Sequence, residues 1–107
     1  MPTYLSDLQR EHKEWAERNF GPTHTLHNSV LGVAEEVGEL AHAVLKRDQQ
    51  IRPSNYEEDI IDACADIVIF LLGVANHEGF DLESSIIRTW EKVRLRDWNA
   101  ERGGELG

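Results

Sequence analysis

With a single cysteine in 107 residues, Cys64 has nothing to bridge within the chain, and the histidines at 12, 24, 27, 42 and 77 do not fall at zinc-finger spacing around it. A reducing, cytoplasmic setting is expected. Basic residues are also scarce: 11 Lys and Arg stand against 20 Asp and Glu, for a formal net charge of −9. So acidic a chain offers no broad cationic surface, which excludes nucleic acid and anionic membranes as main partners, although small anions can bind where cations bridge them. Long apolar runs are missing too. The most apolar stretch, 63–75, is interrupted by Asp66 and falls short of the roughly 20 residues that span a bilayer, so a buried helix is expected there. The first residues lack the basic start and apolar run of a signal peptide.

The only prolines are Pro2, Pro22 and Pro53, and with the glycines they divide the chain into long stretches free of breakers. That pattern predicts an all-α fold, a four-helix bundle in one domain over 1–107. A first helix is expected from Ser6, whose Gln9 three residues on makes a capping-box pattern, to about Arg18, with Leu5, Leu8, His12, Trp15 and Ala16 on one stripe. A second should start at Asn28 or Ser29 and run to about Arg47. A third should follow Ser54 and Asn55, with Glu57 and Glu58 near its positive end, and stop at Glu78 with Gly79 as C-cap. Asp81 is the natural N-cap of a fourth, through about Trp98, with Leu82, Ile86, Ile87, Trp90 and Val93 facing inward. The tail, 101–107, is expected to be disordered. Residues 67–75 are apolar all round, whereas an outer helix of a small monomeric bundle shows a polar face. A partner subunit is the simplest cover, so a homo-oligomer through the third helix is expected.

Acids concentrate where they are least easily solvated. Glu35, Glu36 and Glu39 sit mid-way along the second helix, with Glu39 about 40° from Glu35 and about 60° from Glu36 around the axis. Asp62 and Asp66 share a face of the third among Ile60, Ile61, Ala63 and Ile67. Either these five edge a groove that holds hard cations, or they lie on a thin solvated strip. Mutual repulsion without a counter-cation favours metal, and oxygen-only ligands suit Mg²⁺ or Mn²⁺. Competing motifs are absent: there is no Gly-rich phosphate loop and no His-Glu-x-x-His, and the single Glu-x-x-His pair, Glu39 with His42, is half of what a di-iron site needs. His42 reads as a helix-surface or interface residue. Asn76 either lines the far end of the groove or caps a helix; Lys92 and Arg96 either hold phosphates or pair with neighbouring acids; Trp15 and Trp90 either stack on a base or pack in the core.

The run Glu35-Glu36-Val37-Gly38-Glu39-Leu40, followed by Asp62-Ala63-Cys64-Ala65-Asp66-Ile67-Val68-Ile69, resembles the MazG-like all-α nucleoside triphosphate pyrophosphohydrolases, a likeness extending from about Leu8 to Trp98. The family pattern is Glu-Glu-x-x-Glu, then Glu-x-x-Asp. The chain matches the first part and the final Asp66, but carries Ala63 where the other acid belongs, with Asp62 one residue earlier. The resemblance implies hydrolysis of an NTP or dNTP between the α and β phosphorus atoms, releasing pyrophosphate, with two or more Mg²⁺ (or Mn²⁺) ions and in a dimer or tetramer. It implies Glu36, Glu39, Asp62 and Asp66 as metal ligands, Glu35 as general base or holder of a further ion, and Lys92 and Arg96 at the phosphates, with purine nucleotides such as dGTP among the plausible substrates. Phosphoribosyl-ATP hydrolysis and a catalytically silent helical interaction module are the alternatives.

Overall fold

The computed structural model describes residues 4–97. Among them are four α-helices, α1 (Leu5–Asn19), α2 (Leu26–Gln49), α3 (Tyr56–Glu78) and α4 (Leu82–Val93), a 3-10 turn at Gly21–Thr23, and no strand. Side-chain caps set three of the four starts: Thr25 accepts from the Asn28 N–H, Asn55 from the Glu58 N–H, and Asp81 from the Ser84 N–H. At the far end of α3, Gly79 takes the left-handed conformation, φ 74°, that closes a helix.

The start of α1 departs from expectation. Ser6 lies inside the first turn and caps nothing; Tyr4 is the N-cap and makes no side-chain cap. The Leu5 N–H donates instead to Glu83 Oε1 of α4, and Ser6 Oγ reaches Asp81 Oδ1 and Glu83 Oε2. Gln9, buried, ties the same corner together: its Nε2 donates to Asn76 Oδ1 and to the Phe80 carbonyl, and its Oε1 accepts from the Leu82 N–H. A tertiary clasp has replaced the local capping box. At its other ends the reading also shifts: α2 begins earlier, at Leu26, and continues to Gln49, and α4 stops at Val93. Trp98 and the 101–107 tail lie outside the described residues.

Packing is uneven. The α2–α3 hairpin is the main contact, α1 lies on α3 and α4, and α2 packs on neither α1 nor α4. One chain therefore does not close the expected bundle. Its radius of gyration, 18.0 Å, exceeds the roughly 13 Å of a compact chain of about 100 residues. The buried apolar side chains are Ala16, Ala43, Ala63, Leu72 and Ala75. Of the residues expected to face inward on α4, Leu82 is half-buried, but Ile86, Ile87, Trp90 and Val93 are exposed, with Trp90 at 58%. Lacking a surface to pack on, α4 has little to extend it. Although the 63–75 run is short, α3 as a whole is long and apolar enough, by length and composition, to cross a membrane; Asp62 and Asp66 oppose that, at about 2.5–3.5 kcal/mol for an acid near the bilayer centre.

Small residues let α2 and α3 approach. A Cβ at Gly32 would run into the Phe70 ring, and one at Gly73 would stand 2.7 Å from Ser29 Oγ. Gly32→Ala and Gly73→Ala are each expected to destabilise the protein by about 1–3 kcal/mol through overpacking, read as lowered denaturant midpoints. Gly38→Ala, with open space around the new methyl, should be neutral or stabilising by up to about 1 kcal/mol.

Candidate functional site

Between the middle of α2 and the N-terminal half of α3 lies an open cavity of about 270 Å³. Its walls are acidic: Glu36 and Glu39 from α2 face Asp59, Asp62 and Asp66 from α3, with His42 beside them and Ala43 and Ala63 in its lining. Those two alanines are buried, and their small size leaves the volume between the helices. Glu36 and Asp66 are half-buried, while Glu35, Glu39 and Asp62 are exposed.

No lysine or arginine among the described residues pairs with these acids. Among the described residues the ion pairs join Arg10 to Asp7, Arg47 to Asp48 and Glu57, and Arg94 to Glu91. None reaches the cavity acids. Burial, followed by the charges of Asp66, Glu35 and Glu39, pushes the Glu36 carboxyl above the usual carboxylate range. Glu35 does not line the cavity, but its charge acts on it through Glu36.

The arrangement thus unites four of the residues singled out in the sequence, Glu36, Glu39, Asp62 and Asp66, and adds two. Asp59 and His42 carried a readable signal: Asp59 is three residues before Asp62 and His42 three after Glu39, so each shares a helix face with an acid of the set. His42, expected at a helix surface or interface, belongs to the cavity lining. As placed, no three His, Cys, Asp or Glu side chains among the described residues converge closely enough to hold an ion. The donor set nevertheless suits a hard divalent cation, because it is rich in carboxylate oxygen, open to water and, among the described residues, in no ion pair with a lysine or arginine.

The remaining sequence-predicted residues lie away from this cavity. Asn76 is ten residues beyond Asp66, about 15 Å along α3, and its amide is engaged with α1, Nδ2 donating to the Gln9 carbonyl. Lys92 sits in the last turn of α4, with Arg96 just beyond it, and neither lines the cavity. Trp15 is 44% exposed and not core; it meets Phe20 edge-on, ring centroids 5.4 Å apart, beside His12.

Across residues 24–100, more than half of the chain, the sequence matches the family model of the MazG nucleotide pyrophosphohydrolase domain. The chain belongs to the MazG family. The match spans all of α2, α3 and α4 and the acids on both walls of the cavity, which covers the expected likeness from 24 to Trp98; only its first part, from Leu8 through α1, lies outside the match. No curated protein matches the chain. MazG domains are nucleotide pyrophosphohydrolases that generally use divalent metal ions, a chemistry that fits a cavity walled by unpaired carboxylates.

Proposed function

We propose that this MazG protein is a Mg²⁺-dependent nucleoside triphosphate pyrophosphohydrolase that converts an NTP or dNTP and water into the monophosphate and pyrophosphate. The observation that carries the reading is the cavity in which Glu36 and Glu39 face Asp62 and Asp66 with no ion pair to a lysine or arginine among the described residues. Those four carboxylates would hold two or more Mg²⁺ ions, with Mn²⁺ a workable substitute. The ions would supply Lewis acidity, a lowered pKa for bound water, and charge stabilisation on the departing pyrophosphate. Glu35, next to the cavity, suits a general base or a further ligand. Lys92 and Arg96 would meet the phosphates and Asn76 the far end of the nucleotide, while Trp15, exposed within a ring cluster, suits stacking on the base. Because α4 stands apart from the cavity within one chain, a homo-oligomer, dimer or tetramer, would bring a neighbour's α4 to it. The whole chain, 1–107, would form one such domain working in the cytoplasm on the nucleotide pool, with purine substrates such as dGTP included.

Pyrophosphate release from a panel of the common NTPs and dNTPs, with Mg²⁺, Mn²⁺ or chelator, tests this directly. Release that requires metal supports it; no release from any nucleotide with either ion overturns it.

The raised Glu36 pKa adds a pH signature. In metal-free protein this group contributes stability that is full below the unfolded carboxylate pKa, about 4.3, and is lost as pH rises through the raised folded value. Bound Mg²⁺ removes the repulsion and reverses the shift. Stability gained on mild acidification should therefore be larger in chelator than in saturating Mg²⁺, as measured by chemical denaturation, and Glu36→Gln should erase the difference.

A further inference from the structure

Imidazole and aromatic rings gather where α1, the Gly21–Thr23 turn and α3 meet. His24 stacks on His77, ring centroids 4.7 Å apart and planes 29° from parallel, and His12 approaches His24 at 5.8 Å. Phe20 and Trp15 complete the cluster, at 6.0 Å from His24 and 5.8 Å from His12. The three imidazoles come from three different parts of the chain: α1, the connection that follows it, and α3. His12 Nδ1 is buried without a hydrogen-bond partner, and its ring rests near Gly73 of α3, within 3.5 Å of where a Cβ would stand.

The surroundings do not favour a charged ring. In the adjoining groove α1 presents Lys13 and Glu17, one charge of each sign, beside Asn76 of α3. On another side of His24, α2 presents Asn28 and Ser29 and α3 presents Phe70, all uncharged. None of the three histidines is in an ion pair with a carboxylate. Protonating two stacked imidazoles sets like charges within a few ångströms, and a proton on His12 Nδ1 would have no acceptor.

We propose that His12, His24 and His77 form a proton-operated joint, which when neutral holds α1 and the connection after it against α3 and when charged releases them. The joint is separate from the acidic cavity; Trp15 belongs both to the ring cluster and to the base contact proposed above, so the test reads folding and not hydrolysis. Burial, followed by the charges of His24 and His77, holds His12 below the ordinary histidine range, and burial followed by His77 does the same to His24. A depressed folded pKa means that stability from the cluster is complete above the unfolded value, about 6.5, and is lost as pH falls from there through the folded values. Acidification in this range is what opens endosomal and other histidine switches.

Thermal melts of the full chain at about pH 8 and about pH 5.5, at one protein concentration and in chelator, test the proposal with His77→Phe, which keeps a ring in the stack but removes its charge, and His24→Gln. The parent should lose about 5 °C more on acidification than either variant, a change of order 1 kcal/mol for a domain of this size. Glu36 contributes alike to all three proteins and drops out of the comparison. Equal losses in parent and variants would overturn the joint. If a variant does not fold, proton NMR titration of the parent decides: His12 and His24 midpoints below about 6.5 support the proposal, and midpoints at or above it overturn it.

Discussion

Glu36→Gln and Asp66→Asn are each expected to reduce pyrophosphate release by about 10²–10³, the loss that follows from about 3–4 kcal/mol of transition-state stabilisation. Both residues are half-buried in the cavity wall, and each amide keeps the shape while removing the charge that would hold the ion. The same variants should lose the rise in melting temperature that divalent metal gives the parent, since an ion that binds only the folded cluster stabilises by mass action. Variants that melt and respond to Mg²⁺ like the parent would place the metal elsewhere. Asp62 tests the departure from the family pattern. If it stands in for the acid missing at 63, Asp62→Ala should cost nearly as much as Asp66→Asn, and adding Ala63→Glu should restore part of the rate. Ala63 is buried and lines the cavity, so a glutamate there would grow from between the helices towards the same ion. Full activity in Asp62→Ala would leave Glu36, Glu39 and Asp66, with water, as the ligand set.

A charge placed on the open apolar faces should have an effect of similar size on folding. Ile69 of α3 is 41% exposed and Ile87 of α4 57% exposed in the single chain, whose described residues bury few large apolar side chains. The parent is therefore expected to scatter light as a dimer or larger assembly at micromolar concentration. Ile69→Glu, or Ile87→Glu, should dissociate it and lower its melting temperature by more than about 10 °C, because an unpaired carboxylate would have to be buried in the interface. A stable monomer of 12.2 kDa would refute the oligomer, and with it the reason given for the exposure of α4.

How far the sequence could be read depended on the range of the interaction involved. The stop of α3 at Gly79 and the starts of α3 at Asn55 and α4 at Asp81 rest on groups within five residues of one another, and these are where they were expected. The start of α1 rests on Glu83, 78 positions from Leu5, and no local pattern distinguishes that from a capping box at Ser6. The cavity was largely legible, because i, i+3 and i, i+4 spacing decides which acids share a helix face; Asp59 followed the same rule. His42 did too; what spacing does not give is how helices are placed relative to each other, so the position of Lys92 outside the cavity required tertiary structure. The inward face assigned to α4 failed for a related reason: periodicity marks an apolar stripe but does not say whether the same chain or another covers it.

The clasp between α1 and α4 also sets an order of assembly. Contacts between α2 and α3 join neighbouring helices across a short connection, so the hairpin closes little chain and can form early. The bonds from Leu5, Ser6 and Gln9 to the 80–83 segment enclose nearly the whole described chain, and they cannot form until α4 has been synthesised. The start of α1 is thus secured after the hairpin, and a chain truncated before Asp81 would carry a formed hairpin with a first helix held only through α3.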